Sequence, residues 1–196
     1  MSLKKFSELF VDLDSSNSTN NKIEVLKNYF LSNDPIDNSW AIYLLTGKSN
    51  KRFISGRYLK NLFSQIYEYP VWLIDTCYLK VGDSAEVITL LLKNKTNSRK
   101  KKLSNISLNE LLSETIPALS KLNEEEKNLQ IKNIWERLPE DYHLIFNKIL
   151  TGTFRVGVSI GLITKSISKL INLDEEIISH RSVSYTHLTL PTSRSV

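Results

Sequence analysis

The chain has 196 residues, 41% of them hydrophobic and 24% charged, with a formal net charge of +5. This describes one globular domain with a real core, or two very small ones, and excludes a disordered chain, while the positive excess permits nucleic acid or another anionic surface as partner without demanding it. Cys77 is the single cysteine. An intramolecular disulfide and a cysteine-based metal site are therefore excluded, and a reducing cytoplasm is the expected location.

Helical periodicity dominates from the start. Leu3, Phe6, Leu9, Phe10 and Leu13 recur at three- and four-residue steps and predict an amphipathic helix that stops in a polar loop at residues 14–20. Ile23, Leu26, Tyr29 and Phe30 mark a second helix. Asp34-Pro35 reads as a cap followed by proline at the first helical position, and opens a third helix that ends at Gly47. Residues 47–60 contain Lys48, Lys51, Arg52, Arg57 and Lys60 and no acid, a density suited to a phosphate backbone or to a solvated loop. Ser55 caps a helix carrying Leu59, Leu62, Phe63, Ile66 and Tyr67, which halts before Pro70.

Residues 71–79 are largely apolar and predict a buried helix, with Trp72 and Cys77 in the core. Asp83 caps the next helix, through Val87, Ile88, Leu91 and Leu92; this most apolar run is too short to span a bilayer. Residues 93–102 form a second basic run, poor in apolars, expected to be a solvated surface loop. Ser107-Leu108-Asn109-Glu110 has the pattern of a capping box and residues 123–126 are a similar start, with a break or kink expected at Pro117 between them. Ile134, Trp135 and Leu138 supply a buried face, and Pro139 begins the following helix. Asp174 opens a final short helix. No strand-like alternation and no internal repeat precede the tail.

The densest local pattern is KILTGTFRVGVS at residues 148–159. Before it, residues 141–150 predict a helix whose apolar stripe, Leu144, Ile145, Ile149 and Leu150, lies beside a polar face. Gly152 sits where a helix end favours a left-handed residue, and Ser159 is an N-cap for a helix with Leu162, Ile163, Ile167, Leu170 and Ile171. Arg155 is the one charged side chain of the short connection. A helix start with free amides, a guanidinium and little bulk makes a phosphate site. By spacing alone, a tight helix–helix turn with ordinary caps is the better account.

The wording of that stretch, however, closely resembles the signature of the N-terminal DNA-binding domain of ATP-dependent DNA ligases. Three further segments resemble that family in the same order: WAIYLLTGK at residues 40–48, followed by Lys51-Arg52; VGDSAE at residues 81–86; and ISHR at residues 178–181, which is similar to the exit of the domain. The resemblance implies an all-α, multi-helix DNA-binding domain over residues 1–181. It implies sequence-independent contact with duplex DNA along the minor groove at a nick, by a monomer, as one part of an enzyme that seals nicks through an AMP intermediate. Thr151, Gly152, Arg155, Gly157 and Ser159 are the expected DNA-binding residues, then Lys48, Lys51 and Arg52, then Lys148.

The chemistry of sealing is not expected in this chain itself. The family's nucleotidyl lysine lies in Lys-x-Asp-Gly, which is absent; Lys80-Val81-Gly82-Asp83 has those letters in another order. ATP and Mg2+ are implied for the full-length parent, and no cofactor or metal for this fragment. His143, His180 and His187 are scattered without metal-ligand spacing, and His143 is expected at or near the surface. Residues 182–196, SVSYTHLTLPTSRSV, differ abruptly from what precedes them and resemble the translation of a sequencing adapter, so the natural sequence is expected to continue past Arg181. The alternative function is a non-enzymatic helical module that binds protein or RNA. Neither a membrane span nor a secretory signal is expected.

Overall fold

Helix starts in this protein are set largely by side chains that accept from the first free backbone amides. A computed structural model describes residues 2–47, 52–93, 95 and 106–173. Helix α1 (Ser2–Ser15) leads to Ser18, which accepts from the Asn21 amide and begins α2 (Thr19–Ser32). Asp34 accepts from Ile36 N ahead of α3 (Pro35–Leu45), and Ser55 from Tyr58 N ahead of α4 (Gly56–Tyr67). After α5 (Val71–Val81), Asp83 caps α6 (Ser84–Leu92) through Glu86 N. Each such cap contributes about 1 kcal/mol relative to alanine. No strand occurs among the described residues, so the fold is all-α as expected.

The segment containing Pro117 departs from expectation in an instructive way. Ser107 begins a single α-turn, α7 (Leu108–Glu110), which widens into a π-turn over Leu111–Thr115 before α8 (Ile116–Ser120). Proline lacks an amide and its ring crowds the carbonyl four residues earlier. A widened turn relieves that crowding, since Ile116 N reaches back to Leu111 O. The backbone absorbs the proline instead of breaking.

The capping box at residues 123–126 forms in full and starts α9 (Glu124–Arg137). Pro139 precedes α10 (Glu140–Thr151), and Ser159 caps α11 (Ile160–Ile171). Helix α10 is the axle of the fold: from Tyr142 to Thr151 every residue except Leu144 is buried, and it packs against α6 and α1. Around it, α2 lies on α11 and α1, and α4 on α5 and α6. The core runs continuously from Leu3, Phe6 and Leu13 through Phe63 and Ile88 to Trp135 and Phe146.

Three expectations need correction. Helix α5 is not buried: Ile74 alone is fully enclosed, while Trp72 is 68% and Leu79 82% exposed. Helix α10 has no polar outer face along most of its length, because its polar residues Asn147, Lys148 and Thr151 are enclosed with the apolar ones. His143 is also enclosed, 1% exposed, with Nε2 2.9 Å from the Trp135 carbonyl oxygen. The final short helix from Asp174, residues 182–196 and most of the second basic run lie outside the described residues.

Burial lowers the His143 pKa from the ordinary 6.5, opposed by its backbone hydrogen bonds and by Glu140 and Asp141. The unfolded chain then takes up this proton before the folded one does, so the contribution is full above about pH 6.5 and falls as pH drops below it. We expect the melting temperature of wild type to fall more steeply from pH 7 to pH 5 than that of His143→Gln. Equal slopes in the two proteins would contradict the buried neutral imidazole.

Candidate nucleic-acid interface

The connection between α10 and α11 is built by residues that alternate between core and surface. Gly152 ends α10 with φ +66°, and its amide donates to the Lys148 carbonyl. A side chain there would be strained by the backbone angle, and its Cβ would meet Arg52 Cγ at 3.4 Å. Phe154 then turns inward, its ring centroid 6.1 Å from that of Phe6 and 5.8 Å from that of Phe10. Arg155 points outward, Val156 inward, and Gly157 outward again with φ +62°. Two apolar anchors thus hold the turn down while the residues between them face solvent.

Ser159 completes the connection. Its Oγ accepts from Leu162 N at 3.2 Å, and its carbonyl from Ile163 N. The amides of Ile160 and Gly161, in the first turn of α11, have no carbonyl ahead of them within the helix. They add the positive end of the helix dipole to the same exposed corner, where the first turn carries no acid. A shallow groove runs between this corner and the end of α3, lined by Leu45, Thr46 and Gly47 on one side and residues 154–159 on the other.

A second basic position is delivered to the same helix end. Phe53 N and Ile54 N both donate to the Leu150 carbonyl, at 3.0 and 2.9 Å. This brings exposed Arg52 against Gly152, so residues far apart in sequence converge on the terminus of α10. Within the rest of that basic run, Arg57 is exposed, whereas Lys60 pairs with Asp75 and lies over the Tyr78 ring. Lys48 and Lys51 lie outside the described residues.

Two of the expected site residues sit elsewhere. Lys148 is 4% exposed, and its ammonium is held by Asp83 Oδ2 at 3.1 Å and Glu86 Oε1 at 2.7 Å. Thr151 is buried too; its hydroxyl donates to Asn147 O at 2.9 Å and accepts from Thr153. Both shape the end of α10 from inside, and neither faces the groove. Sequence reasoning also passed over Lys22 of α2, whose Nζ donates to the Val156 carbonyl at 2.6 Å.

Residues 2–168 match the family described as DNA ligase N terminus. The chain belongs to the N-terminal domains of ATP-dependent DNA ligases. No curated protein compared with the chain matches it. Against this ligase-domain fold the VGDSAE segment gains a physical meaning: Asp83 caps α6 with Oδ1 and holds Lys148 with Oδ2, and Glu86 adds the second carboxylate. The ligase family as a whole implies ATP and a metal for the complete enzyme. Among the described residues of this domain, no group of His, Cys, Asp or Glu could hold a metal ion, and no helix is long and apolar enough to cross a membrane.

Proposed function

We propose that this domain grips the sugar–phosphate backbone of duplex DNA at a nick, without reading its sequence, as part of a cytoplasmic, monomeric ligase. In this proposal the parent enzyme seals the nick through an AMP intermediate with ATP and Mg2+ held outside this fragment, and the fragment alone does not seal. The observation that carries the proposal is the corner at residues 155–161. An exposed guanidinium and glycine-lined backbone line a groove that leads into the first turn of α11, and Arg52 lies against Gly152 at the other end of the connection. Such donors suit phosphate oxygens and carry no base specificity.

The site residues are accordingly Arg155, Gly157, Ser159 and Arg52 at the surface, with Gly152 and Thr151 shaping the turn. Lys48 and Lys51 belong to the same basic stretch as Arg52. Duplex affinity measured against salt tests the proposal, since each neutralised phosphate contributes roughly −0.9 to the log–log slope. Arg155→Ala is expected to weaken binding roughly tenfold and flatten the slope by up to about one unit. Unchanged affinity in a folded Arg155→Ala would remove the corner from the interface. A preference for single-stranded RNA over duplex DNA would favour an RNA-binding module instead.

A further inference from the structure

Lys22 stands in an electrostatically awkward place. It lies in the opening turns of α2, where the helix dipole disfavours a cation, and that helix has no acid in its first turn. Among the described residues it forms no ion pair: nearby Glu24 is engaged by Lys27 at 3.6 Å and Lys169 at 3.3 Å. Its contact is a neutral one, the Val156 carbonyl. A hydrogen bond of that kind uses one of three ammonium N–H groups and leaves the charge uncompensated.

The position of that charge relative to the turn is what matters. An ideal Cβ placed on Gly157 would lie 3.0 Å from Lys22 Nζ, so the ammonium rests beside the outward-facing glycine that follows Arg155 and Val156. A side chain at position 157 would intrude on it. A half-buried cation therefore lies beside the exposed turn that carries Arg155 and runs into the amides at the start of α11. Together they offer three kinds of donor, while Glu24, the acid on α2, is turned toward Lys27 and Lys169.

We propose that Lys22 is a phosphate-binding residue of this turn, holding Val156 with one N–H and presenting its remaining two, with its charge, to the phosphate beside Arg155. The inference rests on the proposal that the turn grips backbone phosphate, and it adds a contact from a helix remote in sequence. If Lys22 were only a pin for the backbone, its charge would not enter binding. The two roles separate in the salt dependence.

The experiment measures nicked-duplex affinity across a salt series for wild type, Lys22→Met, Lys22→Arg and Arg155→Ala, each checked by circular dichroism. Lys22→Met is expected to bind roughly tenfold more weakly with a slope flatter by about 0.9, and Lys22→Arg to keep the wild-type slope. Weaker binding with an unchanged slope makes Lys22 a backbone pin and overturns the proposal; so does unchanged affinity. A salt-independent wild type, or an Arg155→Ala protein identical to it, would overturn the reading of the turn and Lys22 with it. In the unsubstituted protein, duplex should also shield Lys22 from reductive methylation, and equal labelling with and without DNA would overturn the contact whatever the variants do.

Discussion

Trp135→Ala is expected to destabilise the fold by about 3–5 kcal/mol, a large part of the stability of an ordinary domain. The indole is fully enclosed, with its ring centroid 6.3 Å from Phe63 and 6.4 Å from Tyr67. Truncation leaves a cavity among these rings. It also removes the donor for Asn147 Oδ1, 2.9 Å away, in a side chain whose amide continues to Thr89 Oγ1 at 3.0 Å. Urea denaturation measures the loss. Trp135→Phe isolates the polar part: it keeps a ring but orphans the Asn147 carbonyl, at a cost of about 1–3 kcal/mol. A Trp135→Ala loss under about 1 kcal/mol would mean that the centre of the core lies elsewhere.

Lys148→Ala is expected to cost about 3 kcal/mol, at the low end for breaking a buried ion pair. The lysine side chain is 5% exposed, but Asp83 and Glu86 retain 22% and 38%, so water still reaches the carboxylates it would leave behind. Lys148→Met keeps the enclosed apolar stem, though not the ammonium that lies over the Phe10 ring, and should lose less. Combining Lys148→Met with Asp83→Asn and Glu86→Gln should recover part of the loss, because no uncompensated charge then remains. In DNA binding the same substitution separates two roles for Lys148. Affinity should fall as the end of α10 loosens, while the salt slope stays at the wild-type value. A slope flattened by a full unit would return Lys148 to the phosphate contacts.

These two residues also indicate what could be read before the structure. Caps at Ser55, Asp83, Asn123 and Ser159 act over three residues, so local pattern sufficed to place them. The turn at Gly152 was legible for the same reason. Lys148 was not, because its partners come from α6, and a lysine near a helix end looks identical whether it answers the dipole or a distant carboxylate. Trp72 and His143 failed in opposite directions. An apolar run does not reveal which neighbour covers it, and a lone histidine does not reveal the carbonyl that will accept from it. Lys22 left one usable signal, a cation at a helix start with no acid beside it.

The Leu150 carbonyl, accepting from Phe53 and Ile54 together, has a thermodynamic consequence. The chain leaving Arg52 and the chain leading to Arg155 are fastened to a single helix end within the fold itself. If both residues hold phosphate as proposed, neither has to be brought to the other on association, and the ordering entropy that separate flexible arms would lose is largely absent. Such a preorganised pair should act as one bivalent clamp whose grip weakens when either half is untethered, even with every cation retained.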